Sequence, residues 1–198
     1  MLQPLAAPAV LGWFALGSAL IVWGTWFAVG WGGETEYRSF FPFLLFFGGF
    51  GQLGAALWSY RARAAVSAAL HGSWAAFWLG LSLVYLLATT HAIGIPSRGQ
   101  EWQSLGQWLI YMAVISATTA AAALARNRVA ALAQATLAVG TALAAASRLA
   151  PSPGLEQAAG WVLVAAGVIG FWVGAALMLG SQDAVEDAAG DPGVKAGQ

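Results

Sequence analysis

The sequence contains no cysteine, which excludes disulfides, thiolate metal ligation, iron–sulfur clusters and a cysteine nucleophile. Charge is almost as scarce. Eight Lys and Arg and eight Asp and Glu make up 8% of 198 residues and balance to zero, whereas soluble domains carry about 25%. A water-soluble fold of this size could not cover its surface with so few charged side chains. No basic run is present, so nothing neutralises a phosphate backbone, and nucleic-acid binding is excluded. The opening stretch, MLQPLAAPAV, holds neither Lys nor Arg. A cleaved secretory signal needs a positive n-region, so the first apolar segment is expected to remain as a span.

What fills the chain instead is apolar: 60% of residues are hydrophobic, mean hydropathy is +0.71, and 25 Gly, 11 Trp and 10 Phe are present. Membrane helices are enriched in Gly and in interfacial Trp. A span needs roughly 20 mostly apolar residues. The windows that qualify are about Val10–Val29, Phe40–Ser59, Ala64–Thr90, Leu105–Leu124, Val129–Ser147 and Ala159–Gly180, all without Lys, Arg, Asp or Glu. The charges fall between them, at Glu34, Arg61 and Arg63, Arg98 and Glu101, Arg126 and Arg128, and Arg148 to Glu156. The expected fold is therefore all-α: a polytopic protein of the lipid bilayer with six transmembrane helices over 1–181. Residues 182–198, acidic and rich in small side chains, read as a disordered tail. An even number of spans puts both termini on one side. Arg61, Arg63, Arg126, Arg128 and Lys195 share that side, against Arg38, Arg98 and Arg148 interleaved with Glu on the other. By the positive-inside rule both termini are expected in the cytoplasm of a cell (inner or plasma) membrane.

Polar side chains inside a span point to function more than apolar ones do. In the third span Ser67, His71, Trp74, Trp78, Ser82 and Tyr85 recur at steps of three or four, along one helical face. Two readings fit that face: the wall of a path for a small polar solute, or a seam where Trp packs and Ser bonds across. The second span carries Gly48, Gly51 and Gly54 with Gln52 among them. The glycines read as a packing face, but a buried Gln52 amide has four hydrogen-bonding sites to satisfy. It either caps a neighbouring backbone or faces a wet pore. Gln134 in the fifth span, with Leu137 and Thr141 on its face, poses the same question. Gly167, Gly170 and Gly174 mark a second small-residue face in the sixth span, for close packing within or between subunits.

The spacing tests remove the enzyme readings. His71 and His91 are 20 residues apart, so on one helix they lie roughly 30 Å apart and share no iron. His71 and Ser73 point to different faces, and the sequence has no Gly-x-Ser-x-Gly elbow. No metal site and no cofactor is expected. No window contains a carboxylate, although proton-coupled transporters often relay protons through buried Asp or Glu. With every charge in a loop or tail, any pathway would rest on hydroxyls, amides, indole N–H groups, helix ends and His71. Such a lining suits a small, weakly held solute. Open classes are a channel for a small polar solute such as urea, an amide or ammonia, and a non-transporting membrane subunit or sensor.

The run from Phe46 to Leu79, FFGGFGQLGAALWSYRARAAVSAALHGSWAAFWL, resembles the second and third spans of the succinate–acetate permease family (acetate uptake transporters, YaaH-like). Members carry a Gly-Gly-x-x-Gln segment, a short aromatic and basic loop, then Ser-aromatic-x-x-Phe-Trp-Leu. Gly48, Gly49, Gln52, Tyr60, Arg61, Ser73, Trp74, Phe77, Trp78 and Leu79 occupy those places, and Ala159-Gly160-Trp161 resembles the family's Ala-Gly-Trp. Of the family's N-terminal Asn-Pro-Ala-Pro-Leu-Gly, Pro8, Leu11 and Gly12 are kept, while Ala7 replaces the Asn and Val10 the second Pro. The resemblance implies a homohexamer in which each subunit passes acetate and similar short monocarboxylates. It places a narrow apolar constriction at Leu16, Trp74 and Leu137, the first two replacing Phe and Tyr of relatives. Leu at 16 would open the gap; Trp at 74 would close it and offer an indole N–H where relatives offer a hydroxyl. The implied pathway then includes Leu11, Gly12, Gln52, Ser67, His71, Ser73, Trp78, Gln134 and Thr141.

Overall fold

The structure is a computed structural model describing residues 7–30, 37–96 and 100–190, with only the backbone given for 37, 38 and 181–190. The expected turn at Gly32 to Glu34, the charges Glu36 and Arg98, and tail residues 191–198 lie outside the described residues. Helices α1 (Pro8–Val29), α2 (Tyr37–Phe43), α3 (Gln52–Arg61), α4 (Ala65–Thr89), α5 (Gln103–Ala123), α6 (Arg128–Leu149) and α7 (Pro153–Gly190) make up nearly all of it. A π-helical segment, Leu44–Gly51, joins α2 to α3, so these three pieces form one span. Among the described residues, six helical units are long and apolar enough to cross a bilayer, as hydropathy predicts. This is a multi-pass membrane protein. The last helix starts at Pro153 rather than Ala159, and its backbone stays helical to Gly190, beyond the expected start of the tail at 182.

Local chemistry sets the helix ends. Pro8 opens α1, where a missing N–H costs nothing. Gly30 closes it in the left-handed region at φ 59°, its amide donating to the Trp26 carbonyl at 2.9 Å. Asn127 caps α6 by accepting from the Ala130 amide at 2.9 Å. The second span is the exception to regularity. Pro42 lies inside α2, removing a donor and crowding the preceding turn, and the wider π turns follow directly.

The spans close into a ring in chain order. α1 packs on the second span and on α7; the second span packs on α4; α5 packs on α6, and α6 on α7. The α4–α5 seam is the thinnest, and an apolar groove of ≈ 660 Å³ opens there, with Ser73, Phe77, Trp102 and Trp108 among its walls. Outer faces stay apolar, with Trp108, Trp172, Phe43 and Phe46 more than half exposed, as a lipid-facing surface requires. The ring's interior is filled by Trp23, Phe27, Leu16, Trp74, Trp78, Leu109, Leu137 and Leu163, all fully buried.

The α1–α7 seam is the tightest. A Cβ on Gly17 would sit 2.9 Å from the Gly167 carbonyl oxygen, and one on Gly167 would sit 2.9 Å from the Gly17 oxygen. Gly24 and Gly160 oppose each other in the same way. Gly170 and Gly174 face Trp13 and Phe14 of α1, so this small-residue face packs within the chain rather than between subunits. In lipid, such close approach supplies the van der Waals contact that water exclusion supplies elsewhere. Gly167→Leu is therefore expected to lower stability in detergent by at least the roughly 1–3 kcal/mol typical of overpacking. Gly80→Leu, where a Cβ meets nothing within 4 Å, should leave the thermal melt unchanged; equal melts for the two variants would contradict this packing.

Candidate functional site

The polar face of α4 is the inward one. His71, Trp74, Trp78, Ser82 and Tyr85 are buried, while Ala65, Ala69, Ala76 and Leu83 on the other side are exposed. Ser67 is half-buried, its hydroxyl 2.9 Å from that of Ser59 on α3. Ser73 turns away from the interior towards the α4–α5 groove. Placement of the face therefore follows from its three-and-four spacing.

Gln52 ties this face to the irregular second span. Its Nε2 donates to the Gly48 carbonyl at 3.0 Å, inside the π segment, and its Oε1 lies 3.4 Å from His71 Nδ1. A carbonyl only accepts, so Gln52 presents its amino group to Gly48 and its oxygen to His71, which donates from Nδ1. His71 Nε2 is left buried without a partner. It lies over Gly12: a Cβ there would fall 2.5 Å from Nε2. Trp13 meets the same ring edge-on at 5.7 Å. Thus Gly12 earns its place as room for the imidazole. Leu11, one residue earlier, turns outward and is 51% exposed.

Leu16, Trp74 and Leu137 are fully buried members of one apolar cluster, contributed by α1, α4 and α6. Trp74 Nε1 donates to Ser116 Oγ on α5 at 3.1 Å, and that hydroxyl donates to the Met112 carbonyl at 2.8 Å. The indole is thus pinned across the thin α4–α5 seam. Its ring continues into Phe77 and Trp78, at 5.3 and 5.7 Å between centroids. Trp78 Nε1 has no partner, nor has Gln134 Oε1, while Thr141 bonds back to the Leu137 carbonyl at 2.7 Å. Gln134, Leu137 and Thr141 are all buried, on one face of α6. The interior therefore combines bulky apolar side chains with a few polar atoms that nothing among the described residues satisfies.

One expectation is corrected. The charges after the fifth span are not all solvated in a loop: Arg148 and Glu156 are buried, joined by an Nη2–Oε1 hydrogen bond of 2.8 Å. Pro151 and the helix start at Pro153 turn the chain back sharply, which returns Glu156, in the first turn of α7, to the end of α6. The guanidinium lies 4.6 Å above the Phe27 ring of α1, and the Arg148 carbonyl accepts from the Trp102 amide at 2.9 Å. A single residue thereby links α1, α6, α7 and the start of α5. The available signal was Arg148 following Ser147 with no turn former between them. Ser116 was missed because a lone serine in an apolar span carries no pattern that names its partner.

Ser116→Ala is expected to strand the Trp74 N–H in a buried site, at about 1–3 kcal/mol. Thermal unfolding in detergent should show that loss, with Ser116→Thr retaining more of the stability; an unchanged melt for Ser116→Ala would remove Ser116 from this role.

Comparison with known proteins places this architecture. No curated protein matches the chain. Among solved structures, it is similar to that of the bacterial acetate channel SatP, with a TM-score of 0.81 and 23% sequence identity, over 90% of this chain and 95% of that one. That likeness shows a shared fold. The model of the GPR1/FUN34/yaaH family matches residues 2–186, nearly the whole sequence and every span, and the chain belongs to that family.

Proposed function

We propose that the protein conducts acetate and similar short-chain monocarboxylates across the cell membrane, through a channel-like pathway inside each subunit of a homohexamer. The observation that carries this reading is the interior of the ring. Along α4 and α6 it holds buried polar atoms without partners, His71 Nε2, Trp78 Nε1 and Gln134 Oε1, set among large apolar side chains. An unpartnered buried donor or acceptor costs about 1–3 kcal/mol, which a passing polar solute would offset. Donor and acceptor positions together suit a carboxyl group, moving either alone or with its proton. The similarity to an acetate channel supports the same substrate class.

Leu16, Trp74 and Leu137 form the proposed constriction. A ring of bulky apolar groups stops hydrated ions by dewetting yet passes a small solute that sheds its water. Gly12, Gln52, Ser67, His71, Trp78, Gln134 and Thr141 are assigned to the approaches on either side; Ser73, which faces the α4–α5 groove, is not, and Leu11 is assigned only to the helix start that places Gly12. Both termini are assigned to the cytoplasm. The burial of Arg148 supports this, since it removes a free cation from the side opposite Arg61, Arg63, Arg126 and Arg128.

Radiolabelled acetate uptake into proteoliposomes tests the reading, with propionate and urea as competitors. Uptake above empty liposomes, blocked by propionate and not by urea, is expected. Flux equal to empty liposomes rejects it, and competition by urea alone would point to an amide channel. Trp74→Ala should raise flux or relax size selectivity, whereas Gln52→Leu should impair uptake by freeing both Gly48 and His71. Slower flux through an intact Trp74→Ala assembly would count against a gate at this position.

A further inference from the structure

The Arg148–Glu156 pair is incompletely made. On a guanidinium, Nε–H and Nη2–H lie side by side along one edge and match the two oxygens of a carboxylate. Glu156 Oε1 takes Nη2 at 2.8 Å, but Nε, equally buried, has no partner. Arg148 is 3% exposed, so the unmet donor is not simply left to bulk solvent. A fixed structural ion pair in so dry a place would be expected to use both donors.

Two further orphaned donors surround the same spot. Trp23 and Trp26 meet the Phe27 ring edge-on at 4.7 and 5.6 Å, the ring that the Arg148 guanidinium covers. Both indole N–H groups are buried and unpartnered. Trp23 in turn contacts Trp78 at 5.3 Å, and Trp78 contacts Trp74 at 5.7 Å. Ring contacts thus run without a break from Arg148 to the proposed constriction, and three N–H donors on the way lack acceptors. Donors in excess of acceptors are what an oxyanion needs.

We infer that Arg148 is a carboxylate-capture residue at the end of the bundle where α6 turns into α7 (loop five). An ionised short monocarboxylate takes the Nε–Nη2 edge from Glu156, then moves past the indole N–H groups of Trp26, Trp23 and Trp78 to Trp74. Glu156 is the resident stand-in that keeps the cation neutralised while no substrate is bound. It sits in the first turn of α7, beside the exposed Pro153 and Gly154. The inference rests on the transport reading above and adds to it a charged station ahead of the uncharged interior.

The test compares wild type, Glu156→Gln and the Arg148→Gln/Glu156→Gln double variant, whose neutral amides keep the shape and a hydrogen bond. Acetate and its uncharged isostere acetamide are the probes. Binding to the purified protein is followed by tryptophan fluorescence, and flux in proteoliposomes. Glu156→Gln removes the internal competitor and should tighten acetate binding by about tenfold, the worth of one charge-assisted hydrogen bond. The double variant should weaken acetate binding by about tenfold or more, with acetamide unchanged in both. A purely structural pair gives the opposite: Glu156→Gln never tightens binding, and acetate and acetamide fall together. Either that pattern or unchanged acetate binding in the assembled double variant overturns the inference. If Glu156→Gln fails to assemble, the double variant decides alone. Absent flux with Arg148-dependent binding would sink the transport reading and leave the capture site standing; normal flux with binding indifferent to both changes would do the reverse.

Discussion

The hydrogen bond from Gln52 to the Gly48 carbonyl is the interaction on which the interior depends. In lipid a backbone carbonyl that loses its helical partner has no water to turn to. At the end of the π-helical run the Gln52 backbone amide donates to Gly49 rather than to Gly48, leaving the Gly48 carbonyl short of that donor. Gln52 meets it with an amide from the next turn, at 3.0 Å. Because one end of the amide is committed to the backbone, the other end is fixed in orientation and faces His71. A local repair in one span therefore sets the imidazole of another, and Gly12 of α1 is bare so that the ring fits. Three helices thus meet around the His71 ring, which the Gln52 amide orients. Replacing that amide by an apolar residue of similar size would keep the volume and lose all three relations.

At the loop-five end of the bundle the corresponding fixed point is Arg148. Its backbone accepts from Trp102, its guanidinium covers Phe27, and its Nη2 holds Glu156. Burying an ion pair rarely adds net stability over apolar packing, because desolvation opposes the Coulomb gain. A sequence with so little charge would be expected to spend none of it there for packing alone. The placement makes sense where a cation must be reachable by a carboxylate and yet be neutralised in its absence. The aromatic column beneath it is consistent: flat, apolar side walls raise the strength of each remaining N–H donor by keeping water away.

Much of this was legible in the residues, for identifiable reasons. Lipid imposes long apolar runs, so the spans and the outward faces followed from hydropathy. Helical spacing assigned His71, Trp74 and Trp78 to one face, and scarcity of polar groups made that face the inner one. Gln52 announced an unsatisfied amide, and the structure answers it with a backbone cap at Gly48 and a contact to His71. What was not legible depends on neighbours distant in sequence. Periodicity says that Ser116 faces in or out, never that it meets Trp74. The Gly170 and Gly174 face looked equally suited to a second subunit until Trp13 and Phe14 were seen against it. Arg148 and Glu156 were read as loop charges because charge near a span end is ordinarily wet, and only the tight turn through Pro151 to Pro153 overrides that.

On the proposed reading, two kinds of selection would act in series along one path. A guanidinium edge distinguishes ionised acids from neutral amides of equal size, since it rewards paired oxygens and negative charge. The proposed apolar ring at Leu16, Trp74 and Leu137 would distinguish by size and by the cost of shedding water. Neither suffices alone: capture without a constriction would admit any anion, and a constriction without capture would pass amides and alcohols as readily as acids. Order matters too. Were a cation set at the constriction itself, the apolar surroundings would strengthen its attraction to a carboxylate until release became slow. Set apart from the constriction, beside an internal carboxylate that competes for the same edge, the cation would hold its substrate only briefly. The balance between Glu156 and an incoming acid, rather than the depth of any one site, is then what lets a pathway bind selectively and still conduct.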